Sequence, residues 1–129
     1  MRRERRCILR VYVAGPLTPT RDKSTNLAIN YEYNKHVLIS TAVAILKAGY
    51  SPFCPALDAP YFLVGGMENR ITEAQIKRSS MDFLEVCDCV VLCPGWKKSP
   101  GTLKEVERAD ELGIPVFPSL RAFLERSDE

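Results

Sequence analysis

The stretch that most constrains this chain runs from Asp82 to Ala109, DFLEVCDCVVLCPGWKKSPGTLKEVERA. Its apolar run, Cys89 to Cys93, is preceded by an acid at Asp88 and closed by Pro94-Gly95. A short apolar run with β-branched residues and turn signals on both sides reads as a strand buried on both faces. After the break come Ser99-Pro100-Gly101-Thr102 and an amphipathic run that carries Glu105. Strand, glycine-containing loop and helix start together offer free backbone N–H groups to an anion or a sugar.

The remainder alternates in the same way. Ile8 to Ala14 is rich in strand formers and ends at Gly15-Pro16, and Leu17 to Ser24 is a polar loop. From about Asn26 to Ala48 the spacing predicts a helix. Its apolar stripe is Val37, Ile39, Ala42, Ile45 and Leu46, and Gly49 ends it. Ser51 to Cys54 is a second strand, closed by Pro55. PALDAPYFLVGG, Pro55 to Gly66, fits no period and reads as an irregular loop or a short helix. Thr72-Glu73-Ala74-Gln75 is a capping box that opens a helix to about Val86. The helix after the third strand stops at Gly113. Ile114 to Phe117 is a fourth strand, and Ser119 caps a last short helix reaching Arg126.

Strands alternating with helices imply a parallel sheet between helical layers, with right-handed crossovers. We expect an α/β, flavodoxin-like (Rossmann-like) three-layer sandwich, its parallel sheet of four or five strands in the order 2-1-3-4. That order sets the ends of strands one and three side by side at the switch point, where ligands of open α/β sheets bind. The loops meeting there are Gly15-Pro16-Leu17-Thr18 and Pro94 to Gly101.

The 129 residues suit one domain, with residues 1–7 as a charged, solvated tail. A formal charge of +2 is too small to argue for nucleic acid or a membrane surface. No apolar stretch approaches the ~20 residues that span a bilayer. No signal peptide is expected. Of the five cysteines, Cys7, Cys54, Cys87, Cys89 and Cys93, none forms a C-x-x-C pair and four sit in or beside apolar runs. They read as buried reduced thiols of a cytoplasmic protein. One histidine, His36, leaves few ligands for zinc, and no metal is expected.

Glu105 is the strongest candidate for chemistry. It also has an ordinary explanation, because Thr102-Leu103-Lys104-Glu105 fits a capping box with Thr102 as N-cap and Glu105 three residues on. At the crevice, however, a carboxylate can attack an electrophilic carbon or stabilise a cation. Asp88, at the N-terminal end of its strand, reads as structural. Asp82 sits near a helix C-terminus, where an acid opposes the dipole, and could pair with Glu105 as glycosidic chemistry requires. Ser99, Gly101 and Thr102 could hold an anion. Lys97 and Lys98 fit a solvated loop pair. Tyr12 is either core or a partner for a carboxylate, and Trp96 either a lid over a flat ligand or a packing plug. Asp58 and Asn69 are lesser polar candidates.

VYVAGPL, AGYSPFCPAL and CDCVVLCPGWKKSPGTLKEVERADELGIPVF resemble the nucleoside 2-deoxyribosyltransferase superfamily, over about Arg10 to Phe117. The nearest subgroup consists of small bacterial and phage proteins with the same PGW…S.G…E text. The resemblance implies cleavage of the N-glycosidic bond of a nucleoside or nucleoside 5′-monophosphate, by hydrolysis or transfer to another base. It makes Glu105 the nucleophile on C1′ and Tyr12 the residue that orients it. Asp82 lies near the acid that assists the leaving base, although Ser80 could hold that aligned position. Gly15, Pro16, Leu17, Trp96, Ser99, Gly101 and Thr102 fall in the substrate loops. Transferases acting on free nucleosides tend to have an aspartate where Ser99 stands, which tilts the expectation towards a monophosphate. Pro100 is a further departure.

The resemblance implies a small-molecule nucleoside or nucleotide partner, no cofactor, no stable nucleic-acid complex and a homodimer or larger homo-oligomer. The aromatic segment Pro60 to Val64 could serve such an interface. Two other readings stand beside it. One is a nucleotide-binding or sensing domain of the same fold with an inactive site. The other follows a fainter likeness to phosphoribohydrolases, whose loop reads PGG-x-GT-x-x-E. A flavin-binding redox module has little support, since the first loop lacks Ser/Thr/Gly-rich phosphate text.

Overall fold

A computed structural model describes residues 8–17, 27–55 and 71–126. The order is β1 (Arg10–Ala14), α1 (Leu27–Lys47), β2 (Ser51–Phe53), α2 (Glu73–Leu84), β3 (Cys89–Leu92), α3 (Pro100–Leu112), β4 (Val116–Phe117) and α4 (Leu120–Leu124). A short 3-10 turn, Trp96–Lys98, bridges β3 and α3. All strand pairs are parallel and the sheet order is β2-β1-β3-β4, as the alternation predicted.

Strand parity distributes β1 between two layers. Val11 and Val13 point to one face, where they pack with Leu38, Ala42 and Ile45 of α1 and Phe123 of α4. Tyr12 and Ala14 point to the other, with Leu84 of α2 and Ala109 of α3. Tyr12 is thereby committed to the α2/α3 layer by its position in the strand. The α1 stripe is turned slightly from the expected one. Leu38, Ala42 and Ile45 are buried, whereas Leu46 is exposed. Runs of neighbouring apolar residues fit more than one helical face, and packing chooses between them.

Asp88 ties the N-terminal ends of β1 and β3 together. Its Oδ2 accepts from the backbone N–H of Leu9 at 2.9 Å and of Arg10 at 2.7 Å, and its own N–H donates to the Arg10 carbonyl. This is the structural role its position implied.

The capping box at Thr72 is present, with Gln75 N–H on the threonine oxygen and Gln75 Oε1 on the Thr72 N–H. Ser119 caps α4. The expected cap of α3 is corrected. Ser99, not Thr102, is the N-cap; it accepts from Thr102 N–H, and Pro100 is the first helical residue. Both Ser99 and Thr102 match a cap signature, and Pro100 decides between them because its ring fits the first helical position. The four described cysteines are buried and form no disulfide among the described residues, and Cys7 lies outside the described residues. No described helix is long and apolar enough to cross a membrane.

Candidate functional site

The corrected start of α3 removes the ordinary explanation for Glu105. It is now the sixth helical residue, beyond the reach of a reciprocal cap. Thr102 and Ala109, three before and four after it, are the buried residues of α3. Residues at these spacings share a helix face, so Glu105 is aimed at the sheet. There Tyr12 Oη donates to Glu105 Oε2 at 2.5 Å, joining residues 93 apart in sequence. That length is typical of a charge-assisted O–H···O⁻ bond. Oε1 of Glu105 has no hydrogen bond among the described residues.

Burial pushes the Glu105 carboxyl above the ordinary carboxylate range, and the Tyr12 hydrogen bond pulls the other way. Burial and the adjacent Glu105 charge hold the Tyr12 phenol protonated well above its usual range. The phenol is therefore a fixed donor, and the carboxylate is partly desolvated with one free oxygen. Such a group is poised to act as a nucleophile or to stabilise a cation.

Glu105 lines a hollow of about 50 Å³ with Ala14, Gly15, Leu17 and Pro55 at the carboxyl ends of β1 and β2. The hollow alone holds a water-sized group rather than a sugar. A second hollow, about 820 Å³, lies between α1, the β3–α3 connection and the start of α4. Trp96, Lys97, Lys98 and Arg121 line it, and Glu105 does not. Size and chemistry thus point to different places. We place the candidate site at the Tyr12–Glu105 pair, buried on the tyrosine side and half-buried on the glutamate side, since volume by itself carries no reactivity.

The two loops expected at the switch point do meet. A Cβ on Gly15 would lie 2.7 Å from Cys93 Cβ, so only glycine lets the ends of β1 and β3 close. A Cβ on Gly95 would lie 3.3 Å from Pro16 Cγ, and Gly95 also has φ 87°. Pro16 and Leu17 are partly buried beside them. Gly101 faces open space. Trp96 is partly buried, packs against the Tyr12 cluster and lines the larger hollow, with Lys97 Nζ 5.6 Å from its ring centre.

Other expected site residues are placed differently. Thr102 is buried and its hydroxyl donates to Ser99 Oγ at 2.9 Å, so it supports the cap. Ser99 Oγ accepts from both Thr102 groups but keeps its own proton to donate. Asp82 is exposed on α2. Ser80, two residues earlier and so about 200° away around the helix, is the one that is buried. Asp58, Asn69 and the segment 60–64 lie outside the described residues.

Phe53 is a neighbour the sequence did not single out. It pairs with Tyr12 across β1 and β2, its ring centre 5.6 Å away, and stacks on Phe83 at 4.6 Å. Only knowledge of the strand register could have found it. Among the described residues no group of three or more His, Cys, Asp or Glu side chains could hold a metal ion.

A family model described as a domain of unknown function (DUF4406) matches residues 9–118. No curated protein matches the chain.

Proposed function

The chain belongs to the DUF4406 family, and we propose that this member cleaves the N-glycosidic bond of a nucleoside 5′-monophosphate or nucleoside with Glu105 as nucleophile. The observation that carries the reading is the 2.5 Å contact between Tyr12 Oη and Glu105 Oε2 at the carboxyl edge of the sheet. The likeness to the nucleoside 2-deoxyribosyltransferase superfamily supports it independently.

In the proposed reaction, Glu105 Oε1 attacks C1′ while Tyr12 holds Oε2. The C1′–N bond breaks through an oxocarbenium-like transition state, and its electron pair leaves with the base, which takes a proton from solvent. Water, or a second base in a transferase, then attacks C1′ and releases Glu105 as carboxylate. This step draws no proton from Asp82, which is exposed on α2. Ser99, at the start of α3, keeps a hydroxyl proton for a 5′-phosphate, and open Gly101 lets such a group approach the backbone N–H groups. The sugar would enter where the chain passes Leu17 and Pro55, both of which line the hollow.

The small volume beside Glu105 favours a second reading, a nucleotide-binding domain without turnover. Base release from a panel of nucleosides and monophosphates, followed by HPLC, separates the two. Release that falls at least ~10³-fold in a folded Glu105→Gln variant supports the nucleophile. Unchanged release in that variant refutes it.

A further inference from the structure

We propose that the hollow of about 820 Å³ between α1, the β3–α3 connection and the start of α4 is a binding site in its own right, for a small organic anion that carries a flat apolar body. Small-ligand sites have volumes of roughly 300–1,000 Å³ and mainly apolar walls with a few polar groups, and this hollow fits both criteria. Val37 of α1, Leu92 at the end of β3 and Leu120 of α4 bring apolar wall from three elements. Trp96, half-buried, adds an aromatic plane.

Charge decides the class of ligand. Lys97, Lys98 and Arg121 line the hollow, and among the described residues no Asp or Glu does. Three cations around one concavity, in a chain whose formal charge is only +2, make a local field that favours anions. Lys97 Nζ lies 5.6 Å from the Trp96 ring centre, so charge and aromatic plane are presented together. Arg121 Nε pairs with Glu125 Oε2 at 3.0 Å, but both side chains are largely exposed, and a pair of that kind is weak enough to be exchanged for a ligand anion. A bare anion would leave the apolar walls wet, and an uncharged aromatic would gain nothing from the cations. Among the described residues none lines both this hollow and the one beside Glu105. The two sites are therefore separate, and this one stands whether or not Glu105 is a nucleophile.

The probe is 1-naphthyl phosphate, which has the plane and the charge but no glycosidic bond. Trp96 is the one tryptophan of the chain, so its indole N–H gives a single peak in a ¹H–¹⁵N NMR spectrum and reports on this hollow. That peak should shift saturably with probe, with a midpoint of ~1 mM or below. 1-Naphthol and inorganic phosphate, which each lack one of the two features, should bind at least ~5-fold more weakly. The combined variant Lys97→Gln, Lys98→Gln and Arg121→Gln should weaken the probe by ~10-fold, and added salt should act in the same direction. Glu105→Gln should leave the midpoint where it is. Absence of a saturable shift overturns the proposal. So does equal affinity for 1-naphthol, or wild-type affinity in the combined variant, since charge would then play no part. A shift lost in Glu105→Gln would put the probe beside Glu105 and overturn it too. A Trp96 peak that moves when the protein alone is diluted would mean that a second copy covers the hollow, which rules out the ligand site.

Discussion

Removing the Tyr12 hydroxyl isolates the contact on which the site depends. Tyr12→Phe keeps the ring against Phe53 and Leu84 but deletes the donor to Glu105 Oε2. A hydrogen bond to a charged group contributes about 1.5–3 kcal/mol, against about 0.5–1.5 for a neutral pair. Unfolding entropy of about 2.1 cal/mol/K per residue, taken over 129 residues, makes each kcal/mol worth ~4 °C. In buffer alkaline enough to ionise Glu105, Tyr12→Phe should therefore lower Tm by ~6–11 °C. The contact itself is read from a double-mutant cycle of Tyr12→Phe and Glu105→Ala by urea unfolding. The coupling should be about 1.5–3 kcal/mol when the carboxyl is charged and fall to roughly half in acid, where it is neutral. A coupling near zero at alkaline pH, or one indifferent to pH, would show that the two groups do not share a charge-assisted bond. The nucleophile assignment would then lose its support.

Two further outcomes follow from the same geometry. Burial raises the folded-state pKa of Glu105 above its unfolded value, so the native state holds this proton more tightly. Stability is then undiminished in acid below the unfolded pKa and falls as pH rises through the folded one. Glu105→Gln has no such penalty, so it should be more stable than wild type at neutral pH, with the gap closing in acid. Urea midpoints across a pH series test this, and a gap independent of pH contradicts it. The two loop glycines should respond oppositely. Gly15→Ala forces a Cβ against the end of β3 and should cost ~1–3 kcal/mol by urea unfolding. Gly101→Ala meets open space in the first turn of α3 and should be neutral or stabilising by up to ~1 kcal/mol. Equal losses at both would mean that packing between β1 and β3 is not what requires Gly15.

Much of the architecture was legible because its signals are local. Cys89 to Leu92 is apolar throughout and bounded by breakers, which marks a doubly covered strand whatever surrounds it. Gly49 and Gly113 mark helix ends by their left-handed backbone alone. The sheet order followed because few arrangements of alternating elements satisfy right-handed crossovers. The cap of α3 was also readable, since Pro100 favours Ser99, but Thr102 and Glu105 offered a competing signature of equal local quality. Asp82 drew attention as the acid on α2, yet helical phase shows Ser80 to the sheet and Asp82 to water.

By itself, then, the sequence determined the elements, their order and the strand parity that sends Tyr12 to the face opposite Val11 and Val13. These depend on neighbours within a few residues, where periodicity and backbone restrictions act. Only the tertiary structure decided that Tyr12 meets Glu105, that Ser80 rather than Asp82 is buried on α2 and that Phe53 flanks the Tyr12 ring. Such contacts arise from the rotation of α2 and α3 over the sheet and from strand register. Those are set by the packing of the whole core, which no local stretch of chain encodes.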